Sequence, residues 1–391
     1  MSAEAFDLGL RLRAAHTGTV APRLHHSTIP AAPRTLAVRA TATTNTVAVT
    51  CCAPGGAPRT AMGAAALDLL GCMGVTIDAD SPVQVLTDTP ATAHALARLA
   101  ASAPRQGDRA AVAAHLAWTL DRADFPDARA GYVLADACRT RWVTGAAPST
   151  EASATTWRAW LGIGDDLAAL HDAHALLVAG VPLPLLGNLA ESATYAWIAA
   201  QNRHSAGYDW RVTDTPARAA LALFDRCSAA ELWEAALMDD PVWRMRAVHT
   251  GHVAHGILTP TPRKTKNTRR RAVLDCDRLD VRLSAQTVCT GWHGGPEADT
   301  SRLGCTIESA TVQAGRLHLD LSFPREATLT PGPFTIREAA PNQRGTFTRR
   351  RNYAQLYAAR RSWLSTGMPP TTIRRDVPLD VLVAAADPEQ D

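Results

Sequence analysis

The feature that most constrains the fold is a strict alternation of polar and apolar residues near the C-terminal end. Residues 316–323 read Arg-Leu-His-Leu-Asp-Leu-Ser-Phe, so the odd-numbered side chains share one face of an extended strand. Residues 279–283 and 303–307 alternate too, and the run 247–258 does so more loosely. Ala314 and Gly315 predict a tight turn between two strands. Short strands with one apolar face predict a small β-barrel or sandwich, beginning where the period changes at Asp240-Pro241.

Upstream of that point, between residues 108 and 240, the apolar residues have helical spacing. The predicted helices cover 110–120, 128–140, 150–161, 165–179 and 188–201. Pro216 then stands at the first position of another helix, where its missing N–H costs nothing. Ser228 and Glu231 have the spacing of a capping box. This spacing predicts a hairpin of two helices over 216–226 and 229–238.

The N-terminal part predicts the beginning of an α/β layer. A strand over 46–52 is followed by a Pro-Gly-Gly turn, and predicted elements then follow in the order helix 60–71, strand 82–86 and helix 90–101. The first 45 residues contain three prolines and a threonine-rich run. We expect them to form a loosely structured lead-in with one short helix.

Length and composition agree with several folded domains. The chain has 391 residues, of which 46% are hydrophobic, and both figures favour two or three domains with real cores. The predicted fold class is α+β multidomain, with a partial α/β segment, a helical middle and a small C-terminal β-barrel or sandwich that carries a basic helix. The predicted domains are a lead-in over 1–45, an α/β segment over 46–107, a helical region over 108–240 and a basic barrel-like domain over 241–391.

Charge is distributed unevenly along the chain. Residues 1–260 carry 20 basic and 23 acidic residues, whereas residues 261–391 carry 20 and 14. Only Lys264 and Lys266 are lysines among the 40 basic residues. Such arginine use, with abundant alanine, is typical of GC-rich bacterial or phage coding sequences, so the arginine content alone does not indicate a function.

Two basic segments stand out against this background. The first is a predicted loop between strands, whose basic residues are Arg263, Lys264, Lys266, Arg269, Arg270 and Arg271. The second spans 339–375 without an acidic residue, and within it residues 349–364 are predicted to form a helix. That helix would dock through an apolar and aromatic stripe and present Arg349, Arg350, Arg351 and Arg361 to solvent. Guanidinium groups bind phosphate through paired hydrogen bonds.

These segments predict a nucleic-acid-binding accessory protein, with DNA preferred over RNA as its partner. The arginines would contact the sugar–phosphate backbone with little sequence readout. Replication, transfer or defence of a mobile element would suit such a protein, and other proteins of a larger complex could be partners. The alternative is a protein-interaction module whose basic face meets an acidic partner.

A second alternative is an enzyme or nucleotide-binding protein that uses the loop at Gly55 and Gly56. On the predicted elements this loop follows a strand and precedes a helix, where backbone amides can hold phosphate, and Arg59 and Thr60 could contact the same anion. Neither a P-loop nor a dinucleotide-binding fingerprint is present, however, and an ordinary turn is the simpler interpretation.

The remaining patterns do not predict a catalytic centre, a cofactor or a metal. His249, His252 and His255 recur every three residues, but on a strand the outer two would lie about 20 Å apart and the middle one would face the other way. Cys289, His293 and Cys305 match no metal-binding spacing, and the eight cysteines include no C-x-x-C pair. The pairs Asp165-Asp166 and Asp239-Asp240 are predicted at helix ends, the latter in a solvated turn. Catalytic residues are therefore unassigned.

The sequence also predicts a cytoplasmic protein without a membrane partner. The first residues carry Glu4 and Asp7 where a signal peptide has basic residues. The longest uncharged apolar stretch is interrupted by Gly180, Pro182 and Pro184, which is unsuitable for a transmembrane helix.

Overall fold

A computed structural model describes residues 2–123, 125, 130–212, 214–262, 265, 268–298 and 301–358. The described residues within 2–211 and 229–341 form one compact unit, and those within 212–228 and 342–358 form a second. The predicted domain boundaries stay a prediction, whereas the predicted α+β class with a C-terminal barrel is confirmed.

The secondary structure of the described residues comprises thirteen strands, eleven α-helices and a short 3₁₀ helix at Pro148–Ala152. The strands are β1 Ala21–Pro22, β2 Thr35–Ala42, β3 Val47–Cys52, β4 Arg59–Met62, β5 Gln84–Thr87, β6 Gly131–Val133, β7 Trp142–Val143, β8 Val253–Pro260, β9 Arg270–Cys276, β10 Val288–His293, β11 Leu303–Gln313, β12 Arg316–Phe323 and β13 Gly332–Glu338. The helices are α1 Ala3–Thr17, α2 Ala64–Cys72, α3 Pro90–Ala101, α4 Asp108–Ala123, α5 Leu134–Arg141, α6 Ala154–Leu161, α7 Ala169–Val178, α8 Leu186–Ser205, α9 Pro216–Leu237, α10 Pro241–His249 and α11 Gln343–Ala358.

The N-terminal α/β layer contains five strands in the order β4-β3-β2-β5-β6. β2, β5 and β6 run parallel, while β3 and β4 are added by antiparallel pairing. The central strand β2 lies within the first 45 residues, and α1 spans 15 residues there, so the expectation of a loosely structured lead-in is wrong at these elements. The prolines on which that expectation depended stand between the two elements and not inside them.

Helices cover both faces of this sheet, which explains why its strands are nearly continuous in apolar residues. Val38 and Cys51 face a core built with α2, α3 and α4. Ala37 and Cys52, their neighbours along the chain, face a second core built with α5, α6 and α7. Because both faces are buried, the alternation that marks a half-exposed strand is weak here. The sequence therefore revealed two of the five strands.

Several predicted helix boundaries in the middle of the chain are wrong. α9 is one continuous helix, and Ser228 and Glu231 lie inside it instead of capping a second helix. No proline or glycine interrupts the chain between Pro216 and Leu237, so the helix continues through the serine at small cost. The segment predicted as helix 128–140 contains strand β6 before α5 begins at Leu134.

The expected solvated turn at Asp239-Asp240 is also wrong, because Asp240 is buried and Asp239 is half-buried in an ion pair. Asp240 is completely buried and caps α10, accepting hydrogen bonds from the backbone N–H groups of Val242 at 2.9 Å and Trp243 at 3.3 Å. Its other oxygen accepts from the backbone N–H of His26 at 2.9 Å and lies 2.8 Å from the same residue's Nδ1. Asp239 pairs with Arg337 of β13 at 2.7 Å.

The C-terminal strands form a closed barrel in the order β10-β11-β12-β9-β8-β13. The alternation of residues 316–323 is confirmed, since Leu317, Leu319, Leu321 and Phe323 all lie in the barrel core. The predicted turn is confirmed as well. Ala314 and Gly315 both have positive φ, at 50° and 76°, as a two-residue hairpin requires.

Two of the weaker alternating runs do not form the strands that were expected. The segment 247–258 begins inside α10 and becomes strand only at Val253, because capping by Asp240 extends the helical part beyond Pro241. Residues 279–283 lie in the irregular connection between β9 and β10, where Arg282 N–H donates to Gly251 O at 2.8 Å. Alternation over five residues is too short to distinguish a strand from a loop that buries alternate side chains.

The buried capping of α10 gives a stability prediction. Asp240→Ala would leave four donors without their acceptor, and we expect the free energy of unfolding to fall by about 3 kcal/mol. Asp166→Ala is the matched control, because this exposed aspartate accepts a hydrogen bond at the start of α7 from Ala169 N–H alone, and its loss should cost about 1 kcal/mol. Urea denaturation measures both values. Equal losses in the two variants would contradict the role given to Asp240.

A second prediction concerns His115 of α4, a fully buried residue. Burial lowers the pKa of His115 to about 4, while its Nδ1 and Nε2 lie 3.1 and 3.4 Å from the carbonyl oxygens of Thr76 and Val83. Between pH 6.5 and about 4 the unfolded chain binds a proton at this residue that the folded chain does not. The free energy of unfolding should therefore decrease as the pH falls through this window, by up to about 1.4 kcal/mol per unit.

Urea denaturation across this pH range, compared with His115→Gln, isolates the contribution of His115. The comparison is needed because burial also lowers the pKa of His174 to about 4. The variant should have a shallower dependence on pH than the parent. Identical pH dependence of the two proteins would contradict the prediction.

Candidate nucleic-acid interface

The first basic segment lies at one end of the barrel, where β8 leads into β9. Arg263, Lys264 and Lys266 lie outside the described residues. Arg269 and Arg271 are exposed and Arg270 is half-buried, at the point where β9 begins. The segment was predicted as a solvated loop between two strands, which is wrong at Arg270 and Arg271 because both belong to β9. The two strands, β8 and β9, are direct neighbours in the barrel.

A fourth arginine joins this end of the barrel from another loop. Phe323, the last residue of β12, pairs with Arg270 of β9, and the chain then turns through Pro324 to Ala327 with Arg325 exposed at the corner. We call Arg269, Arg270, Arg271 and Arg325 the basic end of the barrel. Arg325 was missed in the sequence because it is an isolated basic residue followed by Glu326. Only the β9–β12 register places it beside the other three.

The arginines of the basic end have no carboxylate partner among the described residues, whereas several other arginines of the same unit do. Elsewhere the unit forms close ion pairs, with Arg11–Glu151 and Arg109–Asp68 both at 2.7 Å and Arg246–Asp7 at 2.9 Å. Across the described ranges, no ion pair or side-chain hydrogen bond involves any member of the basic end. Their positive charge is therefore left uncompensated by the described part of the protein.

The second basic segment behaves differently. α11 begins at Gln343, six residues before the predicted start, and Arg361 lies outside the described residues. Arg350 was expected to project freely, but it forms a bidentate pair with Asp225 of α9, at 2.7 and 3.0 Å. Arg349 lies 3.3 Å from the Thr346 hydroxyl, and Arg351 is exposed. The predicted row of free guanidinium groups is therefore wrong at Arg350.

The aromatic stripe expected on this helix is visible at one position. Tyr353 packs edge-on against Phe224 of α9, with ring centroids 5.5 Å apart, so it docks the helix as predicted. The side chains of Leu356 and Tyr357, and the whole of Trp363 and Leu364, lie outside what the structure describes.

The loop at Gly55 and Gly56 does not have the predicted setting. It joins the antiparallel strands β3 and β4, so no helix follows it directly. Gly56 N–H donates to Ala53 O at 3.0 Å and Gly55 has a φ of 69°, which is the arrangement of a type II turn with proline at its second position. Arg59 and Thr60 are exposed on β4, and the Thr60 hydroxyl lies 2.9 Å from that of Thr50. The predicted setting of a phosphate loop, a strand followed directly by a helix, is therefore wrong.

The histidine triplet is not arranged on one strand. His249 ends α10, His252 lies in the following turn, and His255 stands on β8 with its Nδ1 3.0 Å from the Thr335 hydroxyl. Cys289 and Cys305 face each other across β10 and β11 inside the barrel, where the hydrogen bond with the Cys289 thiol, and after it burial, raise the pKa of Cys305. Among the described residues, no group of three or more His, Cys, Asp or Glu side chains is arranged to hold a metal ion.

A polar groove at the α/β layer was not predicted at all. It lies between β2 and α3 and contains Arg39, Asp88 and Arg98. No single run of sequence marks it, because its residues come from separate elements and each is an unremarkable charge in its own segment.

No family model matches the chain, and no curated protein or solved structure matches it either. None of the helices in the described ranges combines the length and apolar composition needed to cross a membrane. What the barrel end can bind must therefore be argued from its own charges and surroundings.

Proposed function

We propose that the protein binds duplex DNA through the phosphate backbone, with the basic end of the barrel as its binding surface. The observation that carries the proposal is the run Arg269 to Arg271, three consecutive arginines without an anionic partner among the described residues. Neighbouring like charges repel one another, and a polyanion relieves that repulsion. Guanidinium is also the side chain best matched to phosphate, because it can donate two parallel hydrogen bonds.

The surroundings of the basic end favour backbone contacts over base recognition. Residues 250–341 contain three Phe, Tyr or Trp side chains, namely Trp292, Phe323 and Phe334, and all three are buried. Proteins that hold single strands usually stack bases on exposed aromatic rings. Since this segment offers no exposed aromatic ring of these types, we expect duplex DNA to bind at least as well as a single strand, with little dependence on sequence.

Salt dependence tests the proposal directly. The logarithm of the affinity for a short labelled duplex, measured by fluorescence anisotropy, should fall linearly with the logarithm of the salt concentration. Replacing Arg269, Arg270 and Arg271 together by Ala should weaken binding and make the slope shallower. The slope should change by about 0.9 for each phosphate that is no longer neutralised, or by about 2.7 if each of the three arginines neutralises one.

The matched control replaces Arg13, Arg139 and Arg282 by Ala, which changes the net charge equally. All three are exposed and lie outside the basic end, and Arg282 belongs to the connection at the opposite end of the barrel. The control should keep the parent slope. An equal loss of affinity in both triple variants, or an affinity that does not change with salt concentration, would contradict the proposal. Equal affinity for a polyglutamate peptide would favour an acidic protein as the partner.

The pairing of Arg350 predicts a separate outcome at α11. If this helix contributes to DNA binding, we expect Arg349 and Arg351 to contact phosphate groups. Arg350 should not contribute, because its guanidinium is already paired with Asp225. Asp225→Asn should then strengthen binding and steepen the salt slope, as it releases one guanidinium, whereas Asp225→Asn combined with Arg350→Ala, which removes the neutral pair as a whole, should change neither. The same anisotropy titration measures both variants. A greater loss of affinity in that double variant than in Arg351→Ala would contradict this division of roles.

A further inference from the structure

The second half of β11 has a strand edge that the rest of the barrel leaves unpaired. β12 pairs with β11 as far as Gln313, whereas β10, on the other side, pairs with it only over 303–306. The last backbone hydrogen bonds on the β10 side are those of Ile307, at 2.7 and 3.1 Å. Among the described residues, no strand pairs with residues 309–313 on that side, and we call this segment the free edge of β11.

The turn that joins β11 to β12 fixes which backbone groups face outwards. The two-residue turn at Ala314-Gly315 closes a hydrogen-bonded pair between Gln313 and Arg316. In an antiparallel ladder only alternate pairs exchange hydrogen bonds. The odd-numbered residues of the free edge therefore bond to β12, whereas Ala310 and Val312 direct their N–H and C=O groups away from it. No partner for these outward groups is found in the described part of the chain.

The composition of the free edge does not protect it from pairing with another strand. Proteins usually protect such edges with charged side chains, with proline or with a bulge. Residues 309–313 read Ser-Ala-Thr-Val-Gln, without a charge or a proline. The one bulge of β11 lies between Ile307 and Ser309, before the free edge, and the register with β12 is regular from there to the turn. The free edge is therefore a suitable template for strand addition.

The free edge also exposes apolar side chains. Val312 is 64% exposed and Ala310 is exposed as well. Their partners on β12 are Leu317 and Leu319, which belong to the barrel core, so all four side chains lie on the same face of the sheet. A strand added at this edge would cover the exposed pair and would bond to the outward backbone groups at the same time.

We propose that the free edge of β11 pairs with the same edge of a second copy of this chain, antiparallel and about a two-fold axis. With Thr311 on the axis, Ala310 of each copy lies opposite Val312 of the other. Both residues direct their backbone groups outwards, so each such pair exchanges both of its N–H···O=C hydrogen bonds. The two hairpins then form one continuous sheet, and the exposed valine of each copy packs beside the alanine of the other.

The distribution of charge favours a second copy as the occupant. A two-fold axis brings the central residues of an edge close to their own equivalents, so a charge near the axis would repel itself. No charged residue lies between Glu308 and Arg316. These two flanking residues carry opposite charges, and the antiparallel arrangement brings Glu308 of one copy to the side of the turn and of Arg316 of the other.

The interface is small, and this sets the strength of the association. Stable protein complexes bury about 1,200 Å² or more, which two five-residue edges do not reach. We therefore expect a reversible dimer with a dissociation constant on the order of 10–100 μM.

The pairing leaves the basic end of the barrel accessible. The turn at Ala314-Gly315 precedes the first residue of β12, whereas the basic end adjoins Phe323, the last one. β12 has eight residues, so its ends lie roughly 23 Å apart. Dimerisation and DNA binding therefore use different ends of the barrel, and either can fail without the other.

Sedimentation velocity of the full chain between about 2 and 200 μM tests the pairing. The sedimentation coefficient of the parent should rise with concentration. Val312→Lys, which places like charges near the axis, and Val312→Pro, which removes an outward N–H without touching the bonds to β12, should both weaken dimerisation at least tenfold. Ile257→Lys is the matched control, because this residue is 47% exposed on β8, which is paired on both sides, and the control should dimerise like the parent. Circular dichroism establishes that each variant is folded.

Cysteine cross-linking tests the register, in a background where the exposed Cys72 and Cys227 are replaced by Ser. Oxidation by diamide should link two copies of Thr311→Cys, because the Cα atoms of a non-hydrogen-bonded antiparallel pair lie about 4.5 Å apart. Gln313→Cys should not be linked, because its equivalents lie about 13 Å apart along the strands. Non-reducing gel electrophoresis measures both.

Three results would overturn the pairing. They are a parent that stays monomeric at every concentration, an equal loss of dimer in Val312→Lys and Ile257→Lys, and equal cross-linking of the two cysteine variants. A monomeric parent that binds a synthetic peptide of the sequence 309–313 would assign the free edge to a strand of another protein, and would likewise exclude the second copy as its occupant.

Discussion

The arrangement of the larger unit depends on two consecutive acidic residues at the junction of helix and barrel. Asp240 holds the start of α10 and the backbone of His26, two segments that are 214 residues apart in the chain. Asp239 pairs with Arg337, and the carbonyl oxygen of Asp239 accepts from the buried Arg244, which also donates to Pro296 O and Ala298 O. One turn of chain therefore joins the N-terminal segment, α10 and the barrel. Because these charges are buried, each one requires all of its partners at once.

Pairing also separates the arginines that stabilise the fold from those that could bind a ligand. Arg244 and Arg337 are buried and serve the fold, and Arg350 is held by Asp225. Arginine content could not distinguish these roles, since all but two of the basic residues are arginine. Pairing distinguishes them, because a guanidinium that already has a carboxylate must give up that interaction when it meets a phosphate. Arg269, Arg270, Arg271 and Arg325 avoid this competition among the described residues.

The α/β layer and the barrel offer different kinds of surface. The barrel is closed around an apolar core, and the arginines of the basic end lie outside that core, at the start of β9 and in the turn after β12. The layer is an open sheet, and the buried Asp88 that follows its strand β5 is paired with Arg39 of β2. We propose the basic end of the barrel as the surface that meets DNA.

The local pattern of apolar residues predicted the strands correctly where one face of the strand is buried and the other is solvated. The alternation of residues 316–323 and the turn at Ala314-Gly315 are of this kind, and they carried the prediction of a small barrel or sandwich. The pattern did not reveal β2, because both faces of that strand are buried and its residues do not alternate clearly. It also failed after Asp240, because this residue caps a helix in a segment whose apolar residues are spaced as in a strand. The site residues depended still more on tertiary structure. Arg350 meets Asp225 across 125 residues and Arg39 meets Asp88 across 49, whereas periodicity reports only on neighbours within a few turns. Folding alone decides which charges find partners, because an ion pair is a matter of distance in space.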